Sequence, residues 1–254
     1  MVTDVTISVP QAKSGISSIK AHMVATSADA GPEITISLDS NESAFGPSPK
    51  ALTAAAAATD HLERYLENPA SILVPAIAAS HGLEPERLAI GFGSDDILAR
   101  IARAYLQPGT ALLRSQNSYL KVPNYAYAND AEALAAPDSN FCTDVDAMLA
   151  SLTPETRIVY LANPDNPSGA MLPGDEVRRL HAGLPGHVLL VIDGAYAEYV
   201  TDPAYATGED LVWAHDNVVV TRSFSKIHGL AGARVGWAYA APQVIDTITR
   251  IGLT

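Results

Sequence analysis

From Leu88 onward the chain alternates between short apolar runs and longer stretches with helical spacing. Val188-Leu189-Leu190-Val191-Ile192 is largely β-branched and has no polar alternation, the pattern of a strand covered on both faces. Ala111 to Arg114, Arg157 to Leu161, Val218 to Thr221 and Val235 to Ala240 also read as strands, and Leu88-Ala89-Ile90 is a shorter example. Between them, Ile97, Leu98, Ile101, Ala104 and Tyr105 recur at helical spacing, and Pro173 to Ala182 predicts another helix. Upstream, Ser48-Pro49 caps an alanine-rich helix that runs through about Thr59. Strands alternating with helices predict an α/β fold with a mainly parallel sheet sandwiched by helices. Residues 1–36 read as an arm that could reach a neighbouring subunit. Apart from the helical run Ala54 to Ala58, the chain has no repeats or low-complexity linkers.

The polar residues that carry chemistry sit where these runs end, and open α/β sheets bind ligands at the C-terminal ends of their strands. Leu88 to Ile90 leads into Gly91-Phe92-Gly93-Ser94-Asp95-Asp96 and then a helix. Free amides at the helix start, close backbone approach at Gly93 and the Ser94 hydroxyl suit a phosphate. Such turns also bind dinucleotides or nothing, and a full G-x-G-x-x-G is absent because Asp96 follows Asp95. The Arg157 to Leu161 run enters Asn163-Pro164-Asp165-Asn166-Pro167-Ser168-Gly169, which presents Asn166 on a rigid turn; alone, it reads as an ordinary Asn-Pro turn. Asp193 closes Val188 to Ile192 and, alone, reads first as a helix N-cap. Last comes Ser223-Phe224-Ser225-Lys226, with Arg234 eight residues on in a glycine-rich stretch from Gly229 to Gly236. Two hydroxyls and a guanidinium offer donors to a phosphate dianion, beside an amine that can condense with an aldehyde. By itself this is a Ser/Lys turn before a strand.

Together these elements point to pyridoxal phosphate, which carries both a phosphate and an aldehyde. Asp193 would pair with the protonated ring nitrogen and keep the ring an electron sink. Tyr196, three residues on, and Asn166 would place a hydroxyl and an amide at the ring's phenolate oxygen. The coincidence of Ser94, Asn166, Asp193 and Ser223 at four strand ends outweighs the bland reading of each.

From about Leu38 to its last residue the chain resembles the fold-type I pyridoxal phosphate enzymes of the class I/II aminotransferases, most of all the histidinol-phosphate aminotransferases. Asn41-Glu42-Ser43-Ala44-Phe45-Gly46-Pro47-Ser48-Pro49 matches that branch's Asn-Glu-x-x-x-Gly-Pro-Ser-Pro segment, which closes over the substrate. The resemblance thus implies that Asn41 and Glu42 face the substrate. Arg64-Tyr65-Leu66 corresponds to an Arg-Tyr-Pro element with its proline lost; the implied role of Tyr65 is to reach the cofactor phosphate in a partner subunit, hence a homodimer. Tyr119, preceded by Gln116-Asn117-Ser118 in place of a Pro-Thr-aromatic run, resembles the ring that stacks on the pyridine. By the same resemblance Lys226 is the Schiff-base lysine, Asp193 the pyridinium partner, and Asn166 and Tyr196 the phenolate contacts. Ser94, Ser223, Ser225 and Arg234 resemble the phosphate ligands, with Gly93 and Asp95 in the same cofactor-binding turn.

Three positions depart from the pattern: Gly194 stands where an acid follows the aspartate, Ile227-His228 replaces a small-aromatic pair, and Asp165 replaces an asparagine. None removes a catalytic group. His228 reads as a satisfied histidine behind the site rather than as a second acid/base or a substrate contact.

The implied reaction is transamination of L-histidinol phosphate with 2-oxoglutarate, giving imidazole acetol phosphate and L-glutamate in histidine biosynthesis. The implied organisation is an arm over 1–36, a cofactor-binding large domain over 37–241 with its substrate loop at 38–50, and the start of a connection to an incomplete small domain over 242–254. The remainder of that domain, with an arginine for the substrate or acceptor carboxylate, would follow Ile251-Gly252-Leu253-Thr254. The alternatives are an aminotransferase for aromatic or other amino acids, a threonine-phosphate decarboxylase-like enzyme, and a truncated, silent cofactor-binding module. Intact Lys226, Asp193 and Arg234 argue against the last.

Composition narrows the partners. The 254 residues are 48% hydrophobic, enough to bury a sizeable core. A formal net charge of −12 with scarce Lys and Arg argues against nucleic acid or an anionic membrane and for small-molecule substrates, an amino donor and a keto-acid acceptor. One cysteine, Cys142, forbids an internal disulfide and fits a reducing compartment. No apolar run approaches a membrane span, residues 1–30 lack a signal peptide's apolar core, and no metal site is expected, so the expected location is the cytoplasm.

Overall fold

The computed structural model describes residues 11–19, 38–64 and 70–252. Tyr65 and most of the expected arm lie outside these residues. The elements run α1 (Pro49–Ala58), α2 (Ala70–His81), β1 (Leu88–Gly91), α3 (Ser94–Tyr105), β2 (Ala111–Ser115), α4 (Val122–Tyr127), β3 (Glu132–Ala136), α5 (Val145–Ala150), β4 (Thr156–Ala162), α6 (Gly174–Ala182), β5 (Leu189–Asp193), α7 (Glu209–Ala214), β6 (Val218–Ser223), β7 (Gly236–Ala240) and α8 (Pro242–Arg250). Among the described residues they form a seven-stranded sheet in the order β1-β7-β6-β5-β4-β2-β3. β7 pairs antiparallel with both β1 and β6, and the other pairings are parallel. Six strands therefore share one direction, as the mainly parallel reading expects. β7 is reversed because the connection from β6, which carries Lys226, contains no crossover helix to bring the chain back to the other end of the sheet.

Both faces of the sheet are covered, which is why the strands read as unbroken apolar runs. Val159, Leu161, Leu190, Ile192, Val218 and Val220 pack with residues of α2, α5, α6 and α7. Their alternates Ile158, Tyr160, Leu189, Val191 and Val219 pack with α3, α4 and α8. The two-residue period of a strand places Asp193 on the same face as Leu189 and Val191, and Thr221 on the face of Val219. Parallel register pairs Ala162 with Asp193 and Asp193 with Thr221, so three strands end side by side.

One strand was not anticipated. β3 was not among the predicted strands: Glu132-Ala133-Leu134-Ala135-Ala136 is alanine-rich, with weak intrinsic strand preference, and becomes a strand at the sheet edge by pairing with β2. α1 starts where expected, with Ser48 Oγ accepting from Ala51 N at 3.2 Å. The described part of the arm, residues 11–19, rests on its own chain at the C-terminal end of α4. There Gly15 N donates to Asp130 Oδ1 at 2.7 Å, and a Cβ on Gly15 would fall 2.0 Å from Tyr127 O.

Candidate active site

The strand ends and the loops beyond them enclose a cleft of about 670 Å³. Its lining includes Asn41, Glu42, Ser94, Asp95, Tyr119, Asn166, Asp193, Tyr196, Ser223, Ser225, Lys226 and Arg234, residues spread from position 41 to position 234. These are the predicted candidates apart from Gly93, which packs directly against Arg234, and Tyr65. His228 is exposed and stacks on Phe224 with ring centroids 5.1 Å apart, so it faces a neighbour and not the cleft.

One end of the cleft is a cradle of donors. α3 begins at Gly93 (φ 85°, ψ 167°), a backbone conformation that glycine alone adopts readily, and no side chain caps the helix. Its first amides are therefore open to an anion. Arg234, itself left-handed at φ 53°, reaches over this turn, with Nη1 3.5 Å from Ser225 Oγ and Nη2 3.4 Å from Phe92 O. The approach is tight: a Cβ on Gly93 would lie 2.5 Å from Arg234 Nη2, and one on Gly236 would lie 2.5 Å from Ser94 N. Ser223 Oγ accepts from Ser225 N at 3.0 Å, which leaves its proton to donate elsewhere. Amides, hydroxyls and a guanidinium that forms no ion pair among the described residues converge here and suit a phosphate.

Asp193 sits at the floor. Oδ1 accepts from Thr221 Oγ1 at 3.1 Å and Ala195 N at 3.2 Å; Oδ2 accepts from Tyr160 Oη at 2.8 Å. One oxygen thus does the turn-capping suggested by the bland sequence reading, while the other meets a buried tyrosine. Burial pushes the Asp193 carboxyl up to about 6, against the hydrogen bonds from Tyr160 and Thr221 that favour its charge. Such an acid gains most from a cationic partner.

Opposite the cradle, Tyr196 Oη accepts from Asn41 Nδ2 at 2.9 Å and Asn166 Nδ2 at 3.4 Å. The turn carrying Asn166 is fixed by Asp165 N to Ala170 O at 2.9 Å and by paired bonds between Asn163 and Leu172, so the Asn-Pro turn reading also holds. Asp165, buried where an asparagine was the family expectation, accepts from Ser118 Oγ at 2.5 Å and Ser168 Oγ at 3.1 Å.

Lys226 Nζ donates to the carbonyls of Ser40 and Asn41 at 3.2 and 3.3 Å and lies 5.6 Å from the centre of the Tyr196 ring. Burial holds its pKa below the ordinary lysine value, helped by the nearby Arg234 and Lys121 charges and opposed by Asp95 and Glu42. The loop supplying those carbonyls is seated by a close glycine contact: a Cβ on Gly229 would fall 2.3 Å from Gly46 O.

Sequence reasoning missed a second ring of groups. Asp95 accepts from Lys121 Nζ (2.9 Å), Tyr125 Oη (2.8 Å) and Tyr119 Oη (3.1 Å). Burial works to raise its carboxyl, but the bonds from Lys121 and Tyr125 outweigh it and leave Asp95 below the ordinary range. Tyr160 and Thr221 were also missed. A tyrosine in a strand buried on both faces was the available signal, since its hydroxyl must find a partner. The cleft residues fit pyridoxal phosphate: an anion cradle that an added Cβ would fill, a buried acid with a raised pKa, and a lysine with a lowered one. Among the described residues no cluster of His, Cys, Asp and Glu could hold a metal ion, and no helix is long and apolar enough to cross a membrane.

The pattern of the family "Aminotransferase class I and II" matches residues 33–253. The histidinol-phosphate aminotransferase of Rhodopseudomonas palustris (strain TIE-1) is 49% identical over 214 residues, covering 84% of this chain and 59% of that protein. The protein of the same name from Rhodospirillum centenum is 51% identical with the same shares covered. The crystal structure of histidinol-phosphate aminotransferase from Sinorhizobium meliloti in complex with pyridoxal-5'-phosphate superposes with a TM-score of 0.79 at 33% identity, over 84% of this chain and 58% of that one. The chain thus spans about 59% of the length of the curated relatives it matches.

Proposed function

This chain belongs to the class I and II aminotransferases, and on that footing we propose that it binds pyridoxal phosphate and transfers the amino group of L-histidinol phosphate to 2-oxoglutarate. The observation that carries the reading is the convergence of Lys226, Asp193 and the Arg234 cradle on one cleft. The substrate comes from the names of relatives about half identical to this chain and from the Asn41-Glu42 loop at the cleft mouth.

Ser94, Ser223, Ser225, Arg234 and the amides at the start of α3 would hold the phosphate, with Gly93 and Asp95 shaping the turn. Tyr119 would cover one face of the ring. When bound, the cofactor supplies an aldehyde for amino groups and a protonated pyridine that draws electrons from a deprotonated α-carbon. Asp193 holds the proton at the ring nitrogen, because a carboxylate in a buried site is stabilised by a positive partner. Lys226 is both covalent anchor and proton carrier: its lowered pKa raises the share of neutral amine, and Nζ takes the proton from the substrate α-carbon. Tyr196 and Asn166 would donate to the ring oxygen, and Asn41, bonded to Tyr196, ties the substrate loop to that contact.

The reading extends to a cytoplasmic homodimer with a large domain over 37–241 and, over 242–254, the start of a link to a smaller one. The single cysteine supports a reducing compartment. The test is the visible spectrum of the purified protein with pyridoxal phosphate, before and after addition of histidinol phosphate without a keto acid. A yellow species that bleaches is the expected result. Colour that persists refutes the substrate for this chain, and no colour refutes the cofactor assignment.

A further inference from the structure

We propose that Tyr160 is a positioning residue of this site: its hydroxyl holds the Asp193 carboxylate in the ionised form and in the orientation that receives the pyridine nitrogen. The inference rests on the cofactor reading above and concerns a residue that touches the cleft from beneath. Tyr160 is 2% exposed and Asp193 6% exposed, on adjacent parallel strands of one sheet face. β4 carries Ile158, Tyr160 and Ala162 on the face that β5 gives to Leu189, Val191 and Asp193, and Ala162 is the register partner of Asp193. Tyr160 therefore stands one pleat below the acid and reaches up to it, with Oη to Oδ2 at 2.8 Å.

The two carboxylate oxygens are treated differently. Oδ1 is saturated by structure that the strand ends build anyway, Thr221 on β6 and the Ala195 amide of the following turn. Oδ2 receives Tyr160 alone among the described residues. Because that tyrosine is anchored in a packed strand, it fixes the rotation of the carboxyl plane, and by donating it favours the charged form. The hydroxyl is itself locked as a donor, since burial beside Asp193 raises its pKa well above the ordinary tyrosine value.

The groups coupled most strongly to Asp193 include no cation, although Lys121, Lys226 and Arg234 line the same cleft. Asp95 on α3 opposes its ionisation; Tyr119, Tyr125, Tyr196 and Tyr205 are protonated phenols whose own pKa values are raised. Until a ring nitrogen arrives, hydrogen bonds are what hold the charge on this acid, and Tyr160 supplies the largest favourable one.

Tyr160→Phe removes only the hydroxyl. The readout is binding of two ligands by the full chain, titrated across pH 5 to 8: pyridoxal phosphate, and its analogue with C–H in place of the ring nitrogen. The expected result is a roughly ten-fold weaker affinity for pyridoxal phosphate, an acid limb of binding displaced to higher pH, and an unchanged affinity for the nitrogen-free analogue. Equal weakening of both ligands would show a merely structural role and overturn the proposal, as would no change for either. Should the phenylalanine variant fail to fold, replacing Tyr160 by 3-fluorotyrosine, a stronger donor of nearly the same size, is expected to move the acid limb to lower pH; an unmoved limb overturns the proposal. Failure of the unaltered protein to bind pyridoxal phosphate at all would instead overturn the underlying cofactor reading, and this proposal with it.

Discussion

Gly93→Ala separates backbone shape from side-chain chemistry in the phosphate cradle. At φ 85° and ψ 167° the residue occupies a region that costs a non-glycine residue about 1–3 kcal/mol. The new Cβ would also lie 2.5 Å from Arg234 Nη2 and 3.2 Å from Cζ. A long side chain can swing away, but doing so takes the guanidinium off Phe92 O and Ser225 Oγ and out of the cradle. One charge-assisted hydrogen bond is worth about 1.5–3 kcal/mol, so affinity for pyridoxal phosphate should fall by roughly ten- to a hundred-fold. The backbone cost should lower Tm by roughly 2–12 °C at about 2–4 °C per kcal/mol for a chain of this size. Gly109→Ala is the control. It too has positive φ, 81°, but nothing lies within 4 Å of the added Cβ, so it should lose stability and keep its affinity. The assay is thermal unfolding of the cofactor-free protein together with cofactor titration of both variants. Wild-type affinity in Gly93→Ala, or equal affinity losses in the two variants, would refute the reasoning.

Lys226→Ala should leave Tm within about 2 °C of the wild type, since the amine bonds two loop carbonyls and makes no ion pair among the described residues, while removing turnover and the yellow colour; full activity in that variant would sink the assignment. Asp193 has a folded pKa near 6, above its unfolded value near 4, so the folded state holds the extra proton between these pH values and stability falls as pH rises through that window. In cofactor-free protein Asp193→Asn should therefore gain up to about 3 kcal/mol over wild type between pH 4 and 6 and keep the gain above it, which denaturant unfolding at pH 4 and pH 7 would reveal. Arg222 is buried between Glu198 (2.8 Å) and Glu209 (3.3 Å), and Arg222→Ala should cost about 3–5 kcal/mol by stranding two acids; a smaller loss by urea unfolding would mean that the acids reach solvent. Gly229→Ala should lift the loop over residues 38–48, because its Cβ meets Gly46 O at 2.3 Å and both partners are backbone; unchanged protease sensitivity of that loop would count against the contact.

The fold was legible where burial is two-sided. Val188 to Ile192 and Val218 to Val220 read as strands because apolar residues fill both faces, and the structure buries both. It was illegible at β3, where alanines prefer neither state and pairing with β2 decides. The reversal of β7 was also hidden: nothing in Gly236-Trp237-Ala238-Tyr239-Ala240 states a direction, and the reason lies in the preceding connection, whose length is spent wrapping the cleft with Lys226, Ala231 and Arg234.

In the site, legibility divides by what a residue touches. Ser94, Asn166, Asp193, Ser223 and Lys226 end or closely follow apolar runs, so their position marks them as facing out of the sheet's end, and each lines the cleft. Tyr160 and Thr221 bond to Asp193, and Lys121 and Tyr125 to Asp95; Tyr160 and Lys121 reach the cleft wall as well, but local pattern explains each of the four without function. What separates Tyr160 from an ordinary core aromatic is that Asp193 ends the neighbouring strand two residues further along. That adjacency depends on β4 pairing with β5 in parallel, with Ala162 opposite Asp193. Thr221 depends in the same way on the β5–β6 register. Residues that would meet the cofactor can be read from where strands stop, whereas those that tune them can be read only once the strands have been placed side by side.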